Sequence, residues 1–511
     1  MEQVQTILGY VCRLVVVMAM VGGFTHRAEA QSYSLLWGRA GEKWQASGRV
    51  TDFSYAGYHR GERELPRLEP GISVRDFGAL GDGKADDTAA FKRAIEAGGG
   101  KVIHIPAGRY VITDILTINQ AGTCLLGDGR DKTVLVMTKP LNDIKPDWGA
   151  TTEGRRTSNY SWSGGMIQVT GREESPEVGR VIGSAVRGQS VLSISASAGI
   201  APGEFVRLEM VDDAKQSLTE HLYANDPSSI SLLRRTGVRF GAKVVAFDGA
   251  SGRVTLDRPL WTDVRLEWSP RLVVDRSSVE EVGIEGMTFE FPVTTYKGHF
   301  TEVGFNPLVM GGVRNCWVRS VRILNADSGP FISGRNVTVR DVVWESKRES
   351  KDRGYVGHHG ITLSGQDVLL EDFDFRCRFI HDITMTRGSA GNVVRRGRAE
   401  DLSLDHHRYA PHNNLFTKID AGVGSRLFMS GGGADRGRHC GAWTTLWNIR
   451  SREPIGWPVK WSPDLLSIVG VRSKDKPSLN LRGRWLEPID PSMIDPPDLY
   501  EAQLRRRLAV P

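Results

Sequence analysis

The feature that most constrains this 511-residue chain is a short segment that recurs in its C-terminal half, a polar residue followed by an apolar strand. It appears as Asn315-Cys-Trp-Val318, Asn336-Val-Thr-Val339, Asp367-Val-Leu-Leu370, Asn392-Val-Val394 and Asn414-Leu-Phe416, at intervals of 21, 31, 25 and 22 residues. Segments this short cannot bury an apolar face alone, so their recurrence requires that they stack into a solenoid. The intervals lack a sustained helical period and are rich in Val, Ile, Phe and Thr, which excludes coiled coils and helical repeats. The spacing is that of one turn of a three-sided coil of strands, and the asparagines are expected to stack at one corner.

Ahead of the repeat, residues 1–30 read as an export signal. Arg13 precedes an apolar run over residues 14–24, and Ala28-Glu-Ala30 supplies the small residues of a cleavage site. The run is shorter than the roughly 20 residues a bilayer span needs. The expected mature protein begins near Gln31, is secreted or periplasmic, and has no membrane span after cleavage. Arg13 and Arg27 leave together with Glu2 and Glu29, so the net charge stays at +6 and suits an anionic partner. No dense Lys/Arg run with interleaved aromatics is present, so nucleic acid is not the expected partner. Cys124, Cys316, Cys377 and Cys440 are too widely spaced for a zinc knuckle and read as buried fillers; an oxidising compartment would permit a disulfide, which the spacing does not show.

The first clear element is Phe77-Gly-Ala-Leu-Gly-Asp-Gly-Lys-Ala-Asp-Asp-Thr88, running into an amphipathic stretch that ends at the glycines 98–100. Asp86 or Asp87 is expected to cap a short helix that buries Ala90, Phe91, Ala94 and Ile95. Strands follow on either side of the turn Pro106-Ala-Gly108. The run from Asp76 to Gly129, with Ile105-Pro-Ala-Gly-Arg-Tyr110 and Leu126-Gly-Asp-Gly129, resembles the N-terminal region of pectate-lyase-superfamily proteins. That resemblance implies an all-β fold, a single-stranded right-handed parallel β-helix with an N-terminal capping helix, and carbohydrate-active chemistry. The segment lacks the Lys-Ser/Thr ending of a phosphate loop and the spaced oxygen ligands of a calcium loop.

Residues 175–264 change texture: strands at 190–195, 205–209 and 243–247 and the turn Asp248-Gly-Ala-Ser-Gly252 read as hairpins of a small antiparallel insertion. The expected division is therefore signal peptide 1–30, N-terminal extension 31–73, capping helix and first coils 74–174, antiparallel insertion 175–264, and main parallel coil 265–475. A C-terminal tail over 476–511 follows, whose basic helix caps the open end.

Seven of the twelve histidines, His358, His359, His381, His406, His407, His412 and His439, lie within 358–439. His358/His359, His381/Asp382 and Asp405/His406/His407 are about one coil apart, and residues one coil apart stack at ~4.8 Å, so a polar ladder is expected along one side. Alternation puts Asp405 and His407 on one face with His406 opposed, and sets His381 against Asp382 without deciding which faces out. An inward stack of polar side chains satisfying one another is the competing reading of the same spacing.

Two enzyme mechanisms fit the ladder. A lyase acting on a uronic-acid glycan neutralises a carboxylate, removes the C5 proton and protonates the leaving oxygen; Arg408 or Arg436 with Asn413 are candidate neutralisers, His407 or His381 the base, and Tyr409 or another histidine the acid. His358, His359, His406, His412, Arg438 and His439 are candidate substrate contacts, the last two on the glycine loop Ser430-Gly-Gly-Gly-Ala-Asp-Arg-Gly-Arg-His439. A glycoside hydrolase would use Asp382 with Asp405 instead. A non-catalytic glycan-binding adhesin is a third class. No cofactor is expected: no convincing calcium-carboxylate set is present, and His406, His407 and His412 make a poor chelate because neighbours alternate sides. The carboxylate and Asp-Pro-His-Asp patterns of related pectin- and alginate-acting families are absent too, so no catalytic residue carries over from them. Elimination on an acidic polysaccharide is the favoured expectation, with the sugar, the linkage and the oligomeric state unset by the sequence.

Overall fold

The computed structural model describes residues 32–146, 148–150, 156–195, 199–228, 236–461 and 464–509. The expected export signal lies outside the described residues. The fold is mostly β, and its largest sheet is a column of parallel strands in register. One inward row runs Ile72, Ile103, Leu125, Ile284, Val318, Val339, Leu370, Val394, Phe416, Leu446, Ile468, Leu486, each the direct partner of the next. All but the half-buried Ile72 belong to one buried core, where each such side chain adds about 1.5–3 kcal/mol over exposure. A second parallel sheet packs on the same core with the inward row Ile118, Val169, Met310, Ile332, Leu363, Met385, His406. Its last member is the histidine expected to oppose Asp405, and it sits against Phe416 and Trp461.

The expected asparagine corner divides into two rows. Asn315, Asn336, Asp367 and Asn413 hold left-handed backbone (φ 50°, 52°, 53° and 51°), which Asn and Asp tolerate best among side-chain-bearing residues. Asn392 and Asn414 instead form an amide ladder: Asn392 Nδ2 donates to Asn414 Oδ1 at 3.1 Å, and Asn392 Oδ1 accepts from Val368 N at 2.9 Å.

The helix Thr88–Ala97 buries Ala90, Phe91, Ala94 and Ile95. Asp86 accepts from Thr88 N at its start, while Asp87 turns back to accept from Leu80 N and Gly81 N. The antiparallel unit runs from Glu177–Arg180 to Arg271–Val274, ten residues beyond the sequence boundary, because that last strand pairs with both Glu177–Arg180 and Phe205–Val211. It has its own core, which merges with Ala390, Ala410, Ala442 and Trp443 of the parallel coils.

The C-terminal helix Leu499–Leu508 does not close the end of the column. Leu499 and Tyr500 pack with Leu36, Trp37, Val50 and Phe53 of the N-terminal extension over the outward side chains Leu369, Val393, Leu415 and Trp447. These outward positions are apolar, so the two termini cover a flank that would otherwise be greasy. Among the described residues all four cysteines are free, three buried and Cys377 half-buried against the core. Among the described residues no helix is long and apolar enough to cross a membrane.

Candidate active site

The outer face of the second sheet carries the polar ladder in a register different from the expected one. His359 pairs directly with His381, but the next coil aligns Asp405 with Thr384. The steps are thus 22 and 21 residues, shorter than the 24 that separate positions 358 and 382 and the 23 that separate 382 and 405 in the sequence. Asp405 consequently stands beneath Thr384, whose hydroxyl donates to Asp405 Oδ2 at 3.0 Å and lies 2.8 Å from His359 Nδ1.

Five imidazoles form a connected run that ends on this carboxylate. Ring centroids are 4.0 Å apart for His358 and His359, 5.1 Å for His359 and His381, and 5.4 Å for His381 and His407. His299, from the loop before the third strand of this sheet, lies 4.3 Å from His358. His407 Nδ1 is 2.8 Å from Asp405 Oδ2, and Gly431 N donates to Asp405 Oδ1 at 2.9 Å. Asp405 is fully buried, whereas the His407 side chain keeps 24% of its surface exposed. His407 is therefore the member of the Asp405 pair that solvent or a ligand reaches.

The electrostatics follow from burial and company. Burial alone would raise the pKa of Asp405, but His381, His407 and His359 outweigh it and hold the carboxyl well below its usual range. Burial pushes His381 down to about 4 against the pull of Asp405, and it drives His358 and His359 well below their ordinary value. Asp405 is thus the ionised member of a cluster in which burial favours the uncharged form of His358, His359 and His381. The His407 tautomer that donates from Nδ1 to Asp405 leaves its lone pair on Nε2, as a general base needs.

A second acid lies beside it that the sequence reading missed. Glu302 accepts from Tyr296 OH at 2.6 Å and Ser161 Oγ at 2.9 Å, and its Oε1 is 3.8 Å from His358 Nδ1. Burial raises its pKa to about 7, so it retains a proton close to neutrality. Glu302, Tyr296, His299 and Thr384 carry no spacing signal. The first three sit in an irregular excursion before the strand Leu308–Arg314, and Thr384 is recognisable only once the register is known.

The other expected site residues are elsewhere. Asp382 is paired with Arg426 at 2.5 Å and accepts from Phe379 N and Ser403 N, so it faces away from Asp405 and the two do not form a hydrolase pair. His412 is buried against Ala410 O, and Asn413 is a corner residue whose amide donates to Thr51 Oγ1. Neither reaches the cluster, and Asn413 is not a neutraliser. Arg408 is spent on the carbonyls of Gly432 and Gly437 and on His439. Arg438 binds Asp226 of the insertion, and Arg436 lies over the Tyr409 ring at 5.2 Å. These side chains fasten the glycine loop instead of lining the histidines, with His439 Nδ1 3.1 Å from His406 O.

Among the described residues, His381, Asp405 and His407 are the group whose donor atoms lie close enough to share a cation, all within 4.8 Å.

Residues 71–146 match the family described as rhamnogalacturonase A/epimerase, pectate lyase-like. Mannuronan C5-epimerase AlgE3 of Azotobacter vinelandii is 36% identical over 102 residues, 18% of this chain and 6% of the epimerase. Alginate lyase 7 of the same organism is 30% identical over 114 residues, 20% of this chain and 13% of the lyase. The chain thus spans a small fraction of the length of these relatives. The tailspike protein gp49 of Pseudomonas phage LKA1 superposes with a TM-score of 0.45 at 12% identity, covering 76% of this chain and 65% of its own. The family match ends before the first histidine of the cluster, so it assigns none of those side chains a role.

Proposed function

We propose that this chain, pectate lyase-like in its first coils, is an exported right-handed parallel β-helix enzyme that cleaves a uronic-acid-containing polysaccharide by β-elimination, with His407 as the base. The observation that carries the reading is the 2.8 Å contact between His407 Nδ1 and buried Asp405, on the one ring of that pair that is open to solvent. Elimination begins with removal of the weakly acidic proton α to a uronate carboxylate. A carboxylate-oriented imidazole with a free Nε2 is suited to that step. Asp405 fixes the ring and stabilises the imidazolium that forms; Thr384 and the Gly431 amide fix Asp405. The likeness to an alginate lyase and a uronan epimerase supports an acidic glycan, since both names denote chemistry on uronate polymers.

Hydrolysis is disfavoured because Asp382 is consumed by Arg426 and two amides. The test is to incubate the purified protein with acidic and neutral glycans and follow both the ultraviolet absorbance of unsaturated uronate and new reducing ends. Unsaturated product from an acidic glycan, reduced about 10²- to 10⁴-fold in His407→Ala, is the expected result. Reducing ends without unsaturation would show hydrolysis, and binding without either would show an adhesin.

A further inference from the structure

We propose that His381, Asp405 and His407 form a binding site for one divalent transition-metal ion of the zinc class, and that an ion held there silences His407 as a base. The first half goes beyond the lyase reading; the second rests on it. Two imidazoles and a carboxylate are the donor set that zinc, cobalt or nickel accepts, whereas calcium and magnesium favour all-oxygen shells. One donor atom from each residue lies within 4.8 Å of the other two.

The two nitrogen–oxygen distances are close to those of a loaded site. Ligands about 2.0–2.1 Å from a tetrahedral ion are roughly 3.3 Å apart. His381 Nδ1 is 3.6 Å from Asp405 Oδ2, and His407 Nδ1 is 2.8 Å from the same oxygen, so the second pair must open by about half an ångström. A second, independent observation is His381 itself. The residue is 5% exposed, and its Nδ1 makes no hydrogen bond among the described residues while directed at that carboxylate. A buried nitrogen left so is costly, and an electron-pair acceptor placed between it and Asp405 would remove the cost. Thr384 Oγ1 and Gly431 N already hold the carboxylate as outer partners hold metal ligands.

The consequence for the base is a change of tautomer. With the ion on Nδ1 of His407, the hydrogen bond to Asp405 is replaced by the metal–nitrogen bond and the ring proton resides on Nε2. The lone pair that would take a substrate proton is then occupied, with no net change in the proton count of the ring.

The experiment uses the full chain freed of metal by a chelator. Zn²⁺ titration by calorimetry should give one site, and Co²⁺ should give the visible absorption of a bound ion. Asp405→Asn and His381→Gln should each abolish both signals, Thr384→Val should weaken binding about ten- to a hundredfold, and His104→Ala should change nothing. That last variant removes the exposed His104–Asp128 pair, a surface site of similar chemistry. Far-ultraviolet dichroism of each variant separates ligand loss from misfolding, and His407→Ala provides a third ligand deletion. Absence of saturable binding, or binding that survives loss of Asp405 and His381 but not of His104, overturns the site. Eliminase activity should fall in proportion to Zn²⁺ occupancy; a rise overturns the silencing. Binding is read without substrate, so failure of the lyase reading leaves the metal result interpretable.

Discussion

At the scale of single residues, the two aspartates that the sequence offered as a pair have opposite assignments. Asp405 is held ionised by the rings around it and orients His407. Asp405→Asn is expected to keep the fold and lower kcat by about 10²–10⁴, because the amide no longer fixes the base tautomer. Steady-state kinetics beside a thermal melt check this, and an unchanged kcat removes Asp405 from the mechanism. Asp382 is half of a buried ion pair with Arg426. Asp382→Asn leaves the guanidinium uncompensated and is expected to cost about 3–5 kcal/mol of stability, read by chemical denaturation, with kcat of the folded fraction retained. Glu302 has a different signature. Its folded pKa, raised by burial to about 7, exceeds its ordinary 4.5, so its contribution is greatest below pH 4.5 and is lost as pH rises through 7. The swing is about 3 kcal/mol, and Glu302→Gln should flatten that part of the stability profile; a profile identical to the parent's would sink the assignment.

At the scale of elements, the glycine loop is the part of the site most sensitive to shape. A Cβ on Gly431 would stand 2.8 Å from both His381 Nε2 and His407 Cε1, closer than any relaxed contact. Gly431→Ala should therefore push the loop off the histidines and withdraw its amide from Asp405. A large loss of kcat with a nearly unchanged melting temperature is expected, and unaltered kinetics would show that the loop does not matter. The same element shows what the sequence made visible. Its glycines, arginines and His439 stand together in the sequence, where the arginines and His439 read as groups that meet substrate. Spacing shows proximity and not direction, and Arg408 and Arg438 are turned onto carbonyls and the insertion. The stacked strands were legible because each repeat places a Val, Leu or Phe on the same inward row. The ladder was legible to within three residues, since adding one coil length to His381 cannot reveal that Thr384 is what Asp405 meets. Glu302 was invisible because no repeat contains it. The C-terminal helix was expected at an end and found on a flank, since its partners Leu369, Val393 and Leu415 look in sequence like ordinary core positions.

At the scale of the whole molecule, the parallel column and the antiparallel unit meet across a seam that carries buried charge and buried imidazole. Arg258 and Asp367 form an ion pair across it, and Arg438 reaches Asp226 at its rim. Between them His412 of the column is buried and faces His221 and Arg187 of the insertion. His221 lies between Trp268 and Trp443, with Asp263, Arg265 and Arg187 around it. Burial pushes both imidazoles down to about 4. A histidine whose folded pKa is depressed contributes stability that is complete above its ordinary value near 6.5 and is lost as pH falls from there through 4. The loss is about 1.4 kcal/mol per pH unit for each such group, so mild acid is expected to loosen the seam, as it also weakens the buried cluster of His358, His359 and His381. Tryptophan emission, reporting on Trp268 and Trp443, should shift between pH 6.5 and 4.5 at temperatures where circular dichroism still shows the strands of the column. Removing one of the two titrations in His412→Gln should make the melting temperature fall less steeply over that interval. An equal slope in parent and variant would mean that the seam does not take up the proton, and that acid acts on the column itself.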